Sequence, residues 1–327
     1  MVLSIVIPTC NSDLIDLLCL LFSIRSQTAM DWSRVEVILV NDGGEPFPED
    51  CFDILAPMQI RQINLEINVG PGMARQAGID AAHGRYLMFC DADDTLHNTG
   101  VISTMLQTIM SMSGDEPDIL MSKWYEEALG SDGGYIYVTH DSDWTWMHGK
   151  MIRAEFLREH NIRHHPDLRI HEDSYFLNLL AAYGPRALSV DTLSYVWRWH
   201  DGSITRRNSG AYAYESIPAF LHAVSLADAQ FEQINPAAMP ERIAHRVCYT
   251  YHLTHSDAVT EHPEYRTKAE EAFLREVGPY LHYWDDSTEQ KRRDMYAQTI
   301  RFAAGAIPEE SLSEWLSRVR SGGAVTE

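Results

Sequence analysis

Three short apolar runs constrain this chain more than any other feature, because each ends in a turn signal. Ser4–Ile7 runs into Pro8-Thr9-Cys10-Asn11, and Val35–Val40 into Asn41-Asp42-Gly43-Gly44. Tyr86–Cys90 runs into Asp91-Ala92-Asp93-Asp94, and Gln59–Asn64, ahead of it, reads as a shorter strand. Between the first two runs, Leu14, Leu17, Leu18 and Leu21 keep helical spacing behind Asn11 or Ser12 as a cap. Gly70–Ala82 reads as a loop feeding a helix. This β-α-β-α rhythm predicts an α/β fold around a mostly parallel sheet. Ligands of such sheets sit beyond the carboxyl ends of the strands. Both acidic turns, at Asp42 and at Asp91–Asp94, fall at strand ends of that kind.

Ile119–Ser122, Tyr135–Val138 and Thr192–Trp197 read as further strands, and Arg153–His160 and Glu172–Ala182 as helices. After about residue 210 the pattern changes. Ile217, Phe220, Leu221 and Val224 are helically spaced, as are Phe273, Val277, Tyr280 and Leu281, and Leu312, Trp315, Leu316 and Val319. We therefore expect a catalytic α/β domain over residues 1–205 and a helical region over 206–327. The helical part is expected to shape the acceptor side or to form a homo-oligomer contact.

At 327 residues with 45% apolar content, a large core can form. The net charge of −21 argues against a nucleic-acid partner. Five scattered cysteines without a C-x-x-C suggest neither a zinc ribbon nor a disulfide framework, and fit a reducing cytoplasm. The chain opens directly on a strand pattern, with no signal-peptide features. Its most apolar stretch, Leu14 to Phe22, is shorter than the roughly 20 residues a membrane span requires. The expected location is cytoplasmic, with peripheral attachment to a membrane left open.

Asp91-Ala92-Asp93 carries the strongest chemical signal. Two carboxylates two residues apart, directly after an apolar strand, can clamp Mg²⁺ or Mn²⁺ on a diphosphate. The competing reading is a solvated acidic turn. Context decides between them. In order, the chain carries Ser4-Ile5-Val6-Ile7-Pro8-Thr9-Cys10-Asn11, Val40-Asn41-Asp42-Gly43, Asn68-Val69-Gly70-Pro71-Gly72-Met73-Ala74-Arg75 and Gly84-Arg85-Tyr86-Leu87-Met88-Phe89-Cys90-Asp91-Ala92-Asp93. This series resembles family 2 glycosyltransferases of the GT-A fold, over roughly residues 3–205.

The resemblance implies an inverting, metal-dependent hexosyl- or N-acetylhexosaminyltransferase with a Rossmann-like GT-A domain. Its donor would be a nucleotide sugar, most plausibly a UDP-sugar. Its acceptor would be a hydroxyl of a glycan, such as a surface polysaccharide or wall polymer, with a modified nucleic-acid base or a protein as the outside option. Pro8, Thr9 and Asn11 would line the nucleotide pocket, and Asp42 would accept from the base or ribose. Gly70, Gly72 and Arg75 would shape the neighbouring loop, unless the glycines only serve a turn and cap. Asp91 would hold the ribose and Asp93 the Mn²⁺ or Mg²⁺, while Asp94 caps the next helix.

His171-Glu172-Asp173 resembles the family's Glu-Asp motif at the start of an acceptor-side helix. Inversion needs a base for the acceptor hydroxyl, so Asp173 is the expected base and Glu172 the residue that orients sugar hydroxyls. Acids also favour a helix's first turn for plain electrostatic reasons. His148-Gly149-Lys150 stands where relatives often carry Trp-x-Lys; Lys150 would touch donor or acceptor, or be solvated. Trp144 and Trp146 nearby could stack on a sugar or belong to the core. In Tyr195-Val196-Trp197-Arg198-Trp199-His200-Asp201-Gly202-Ser203-Ile204-Thr205, the family pattern places His200 on the metal and Ser203 or Thr205 on phosphate or acceptor. His164 and His165 read as solvated.

A dinucleotide-binding dehydrogenase needs its glycine fingerprint after the first strand, where this chain has Pro8-Thr9-Cys10-Asn11. A nucleotidyltransferase needs a basic glycine-rich loop at the same place. A catalytically silent sugar-nucleotide-binding module is the remaining alternative, against which stand the intact Asp91, Asp93, Glu172 and Asp173.

Overall fold

The computed structural model describes residues 1–112, 114–200, 202–206, 211–256, 259, 261–284 and 310–322. The chain divides into two compact units, Met1–His200 and Asp201–Glu327.

The first unit is built on a nine-stranded sheet of order β3-β2-β1-β4-β8-β6-β9-β5, with β7 paired to β6. The strands are β1 Leu3–Thr9, β2 Val35–Asp42, β3 Gln59–Leu65, β4 Tyr86–Phe89, β5 Thr95–Leu96, β6 Ile119–Leu129, β7 Tyr135–His140, β8 Lys150–Arg153 and β9 Ala187–Trp197. Only the half β3-β2-β1-β4, together with the β6–β9 pair, is parallel. β8 runs antiparallel to both β4 and β6, and β5 and β7 are also antiparallel to their neighbours. The expected mostly parallel sheet is thus a mixed one, because β8 inserts between its two halves. The four parallel strands are the three apolar runs and the shorter strand read at Gln59–Asn64.

β2 is buried along its whole length and β1 nearly so, as befits central strands covered on both faces. Leu3, Ile5 and Ile7 join a core with helices α1 (Leu14–Arg25) and α3 (Val101–Ser111). Val6 faces the other way, under helix α2 (Pro71–Ala81), where a Cβ on Gly78 would come within 2.3 Å of it. Helices α4 (Ala154–Glu159) and α5 (Glu172–Ala182) complete the unit.

Helix α1 is capped by Asp13, whose carboxylate accepts from Ile15 and Asp16, and not by Asn11 or Ser12. Asn11 stands in the left-handed region at φ 51°, and the Ser12 hydroxyl accepts from the Cys10 amide.

In the second unit, described by itself, the elements are helices α6 Tyr212–Glu215, α7 Ile217–Ile234, α8 Met239–Thr254, α9 Pro263–Glu276 and α10 Leu312–Arg320. Leu221, Val224, Val247, Phe273, Trp315 and Leu316 are buried. Buried Asp228 pairs with Arg242 and Arg246, and Glu270 takes Trp315 Nε1 at 2.9 Å and Arg318 at 2.7 Å. Among the described residues no strand follows β9, and no helix is long and apolar enough to cross a membrane.

Gly84 marks where the chain enters β4. A Cβ there would lie 2.3 Å from the Ser4 amide nitrogen, a backbone atom of a central strand. Gly84→Ala should therefore destabilise the protein by about 1–3 kcal/mol, the usual range for overpacking. Gly278→Ala, with nothing within 4 Å of its Cβ, should be close to neutral. Urea denaturation of the two variants checks the contrast.

Candidate active site

The carboxyl ends of β1, β2 and β4 meet the amino end of α5, and most of the expected residues of the first unit lie there. Pro8 and Thr9 end β1; Thr9 is buried, its hydroxyl 3.4 Å from the Val40 carbonyl. Asn11 is exposed just beyond. Asp42, which ends β2, is 3% exposed. Its two oxygens accept from the amides of Val69 and Gly70 at 2.6 and 2.8 Å. This carboxylate therefore fixes the loop that opens α2. Gly70, at φ 91°, supplies the backbone conformation that lets both amides point at it. Gly72 serves close approach, since a Cβ there would meet the Glu172 side chain at 2.9 Å.

Arg75, on α2, is buried and bridges two elements far apart in sequence. It donates to Asp91 at 2.7 Å and to Glu172 at 2.7 Å. Burial disfavours its charge, but Asp91 and Glu172 hold its pKa well above the ordinary value. This guanidinium does more than shape a loop: it joins the acidic turn after β4 to the first turn of α5. Its Nε is buried without a hydrogen-bond partner.

The acidic turn divides its work. Burial alone would raise the Asp91 carboxyl, and Arg75 reverses this, so Asp91 ionises below its ordinary value. Its side chain is 35% exposed, which leaves it open to a ligand. Asp93 is half-buried and held above its ordinary value by burial and by Asp91, partly offset by His200. Asp94 does not cap a helix. Its carboxylate accepts from the Tyr195 hydroxyl at 2.7 Å and from the Arg198 amide at 2.8 Å, tying the end of β9 to the turn. Burial, then Asp91 and Asp93, push its carboxyl well up. Tyr195 also accepts from the Asp91 amide at 2.9 Å.

Glu172 and Asp173 open α5 behind His171, which adopts the left-handed conformation at φ 58°. Glu172 is 8% exposed and bound to Arg75. Asp173 is half-buried and accepts from the Ser174 amide at 2.7 Å. Burial and the neighbouring Glu172 raise its carboxyl to about 7, the range suited to a general base.

His200 reaches the turn through the main chain, its Nε2 lying 3.1 Å from the Asp93 carbonyl oxygen and its Nδ1 4.0 Å from Asp16. Lys150 is not solvated. It is 1% exposed, and its ammonium donates to the carbonyls of Trp146 at 2.5 Å and His148 at 3.3 Å. Trp146 packs against the core; Trp144 is half-buried. His164, expected in solvent, is buried, with its ring stacked on Phe176 at 4.2 Å. Ser203 and Thr205 belong to the second unit, where their hydroxyls lie 3.0 Å apart.

Three contributors escaped the sequence reading. Tyr195 and Arg198 stand in the Tyr-x-x-Arg segment, and that segment is the signal that could have marked them. Asp16, which pairs with Arg198 at 3.2 Å, reads in sequence only as a break in an apolar stretch. His148 is buried and stacks on Tyr195, and burial lowers its pKa to about 4, so the ring is neutral near pH 7. Asp91, Asp94 and His148 each bring one ligating atom within 4.8 Å of the others. Carboxylate oxygens with an imidazole suit Mn²⁺, and the oxygens alone suit Mg²⁺.

Residues 4–163 match the model of glycosyl transferase family 2. EpsH of Bacillus subtilis strain 168 is 29% identical over 228 residues, covering 61% of this chain and 63% of that protein. The succinoglycan biosynthesis protein ExoO of Rhizobium meliloti strain 1021 is 27% identical over 211 residues, 56% and 58% of the two chains. The chain thus spans about three fifths of the length of these curated relatives. Among solved structures, residues 1–349 of S. aureus TarS in complex with UDP-GlcNAc superpose with a TM-score of 0.60 at 17% identity, over 100% of this chain and 93% of TarS 1–349. A mannosyltransferase of Pyrobaculum calidifontis in complex with GDP-Man and Mn²⁺ gives 0.51 at 11% identity, over 97% and 84%. The ordered motifs, the match over residues 4–163 and the shared GT-A fold agree: the first unit carries a glycosyl transferase family 2 domain.

Proposed function

We propose that the chain transfers a hexose or N-acetylhexosamine from a nucleoside diphosphate, UDP, to a glycan hydroxyl with inversion. The observation that carries this reading is the Arg75 bridge. It sets an open carboxylate at the donor end, Asp91, beside a carboxyl poised near pH 7 on the acceptor-side helix, Asp173. The solved complexes with UDP-GlcNAc and with GDP-Man support a nucleotide-sugar donor. ExoO, a succinoglycan biosynthesis protein, supports a polysaccharide acceptor.

In this reading Pro8, Thr9 and Asn11 face the nucleotide, and Asp42, Gly70 and Gly72 hold the loop beside it. Lys150 acts from beneath the site. Ser203 and Thr205 are proposed to reach phosphate or acceptor. A bound Mn²⁺ or Mg²⁺ would neutralise the diphosphate and stabilise it as a leaving group, held by Asp93 with Asp91 and His200 beside it. Asp173 takes the proton of the acceptor hydroxyl. The acceptor oxygen bonds to the anomeric carbon on the face opposite the diphosphate, and the departing bond's electrons leave with UDP. Glu172, fixed by Arg75, orients sugar hydroxyls.

Asp173→Asn keeps the shape but cannot accept a proton, so turnover should fall by ~10²–10⁴-fold with little change in donor affinity. Near-normal turnover would assign the base elsewhere. Its pKa of about 7 lies above the ordinary carboxyl value, so the base form is lost as pH falls below 7, and kcat should rise with pH through that region. The same sign makes the ionised side chain a burden on the fold, so Asp173→Asn should raise stability above pH 7. Glu172→Gln removes a neighbouring negative charge and should move the Asp173 titration down, read by carboxyl NMR in the donor-free protein. Release of UDP from a UDP-sugar should stop after chelation with EDTA and dialysis, and return with Mn²⁺; full activity in EDTA would contradict the metal.

A further inference from the structure

We propose that His148 closes the buried side of the cation site, so that the ion held by Asp93 also contacts Asp91, Asp94 and His148. This inference rests on the metal-dependent reading above and names a ligand which that reading lacks. One ligating atom from each of the three side chains lies within 4.8 Å of the other two. A cluster of acids alone would carry no site. The second observation is the imidazole: His148 is 6% exposed, and its Nε2 is buried with no hydrogen-bond partner. A buried polar atom left so forfeits its solvation unless something binds it.

The ring is also held in place. It stacks on Tyr195, with centroids 4.9 Å apart and planes at 12°, and on Trp146 at 5.8 Å and 8°, while Trp124 meets it edge-on at 5.0 Å. Lys150 fixes the turn behind it by donating to the carbonyls of Trp146 and His148. Gly149, at φ 63°, lets that turn pack against Ser122, where a Cβ would come within 2.7 Å of the hydroxyl oxygen. Preorganisation of this kind is what a ligand on a rigid scaffold requires.

The cluster has the right openness. Asp94 and His148 are buried, whereas the Asp91 side chain is 35% exposed. An ion there would be enclosed from below and reachable by a diphosphate from the Asp91 side. Asp94 already accepts from Tyr195 and Arg198, but each carboxylate oxygen has a second lone pair to offer. An imidazole among carboxylates favours Mn²⁺ over Mg²⁺, so His148 would set the preference between the two.

The test is Mn²⁺ alone added to the full chain, followed by pulsed EPR for a directly coordinated nitrogen. The wild-type protein should show that coupling, and in His200→Ala the His148 nitrogen should still give one. His148→Gln should lose it and bind Mn²⁺ weaker by roughly tenfold or more, at least the size of effect that outer-shell changes reach. Should His148→Gln fold poorly by circular dichroism, Asp94→Asn and the paramagnetic broadening of the His148 ring resonances in the wild type carry the same test. Coupling that survives in His148→Gln, coupling that vanishes only in His200→Ala, or no Mn²⁺ binding at all would each overturn the proposal. UDP release in the presence of Mn²⁺, measured separately, shows whether the transferase reading stands when this assignment fails.

Discussion

One buried guanidinium holds the site together. Arg75 lies on α2, Asp91 follows β4 and Glu172 opens α5, and its two 2.7 Å bonds are what join these three elements at the site. Removing one partner of such a buried pair typically costs ~3–5 kcal/mol, because a charge is left without compensation. The architecture leads to the same point. Asp42 fixes the start of α2 through the Val69 and Gly70 amides, and Gly72 lets that helix approach Glu172. The sheet thus delivers Arg75 to its partners through contacts made several residues earlier in the chain.

The bridge also sorts the acids. Asp91 has Arg75 beside it, which outweighs burial and holds its carboxyl below the ordinary value. Asp173 lies next to Glu172, whose charge and the local burial raise it to about 7. Two carboxylates in one site are pushed apart by their surroundings, which is the usual route to separate roles for chemically equal groups. Asp94 is neither open like Asp91 nor raised to about 7 like Asp173: buried and bound to Tyr195 and Arg198, it anchors β9 to the turn that carries Asp91.

Much of this was legible in the sequence, for physical reasons. Strands buried on both faces appear as unbroken apolar runs, so β1, β2 and β4 and the acids at their ends could be read directly. β8 could not. It has four residues, begins with a lysine, and is buried only because it slots between β4 and β6, a long-range fact with no local periodicity. Lys150 and His164 misled for the same reason: lysines and histidines are usually wet, and only the packing of distant segments covers these two. The Asp13 cap was missed because two better-placed candidates preceded it, one in a left-handed conformation that sequence does not announce. The motifs identified the turn, the helix and Arg75 as a loop residue, but not that this arginine connects the other two, since residues 75, 91 and 172 share no sequence neighbourhood.

The central claim is that Asp91 and Glu172 act as one unit through Arg75. A double-mutant cycle tests it most directly: Asp91→Asn, Glu172→Gln and the double variant, each measured by urea denaturation. Residues that share one ion-pair network show coupling of about 0.5–3 kcal/mol. The account expects a coupling in that range, with the double variant departing from the sum of the single effects because only then does Arg75 lose both charged partners. Additive effects within about 0.5 kcal/mol, the behaviour of independent sites, would contradict it.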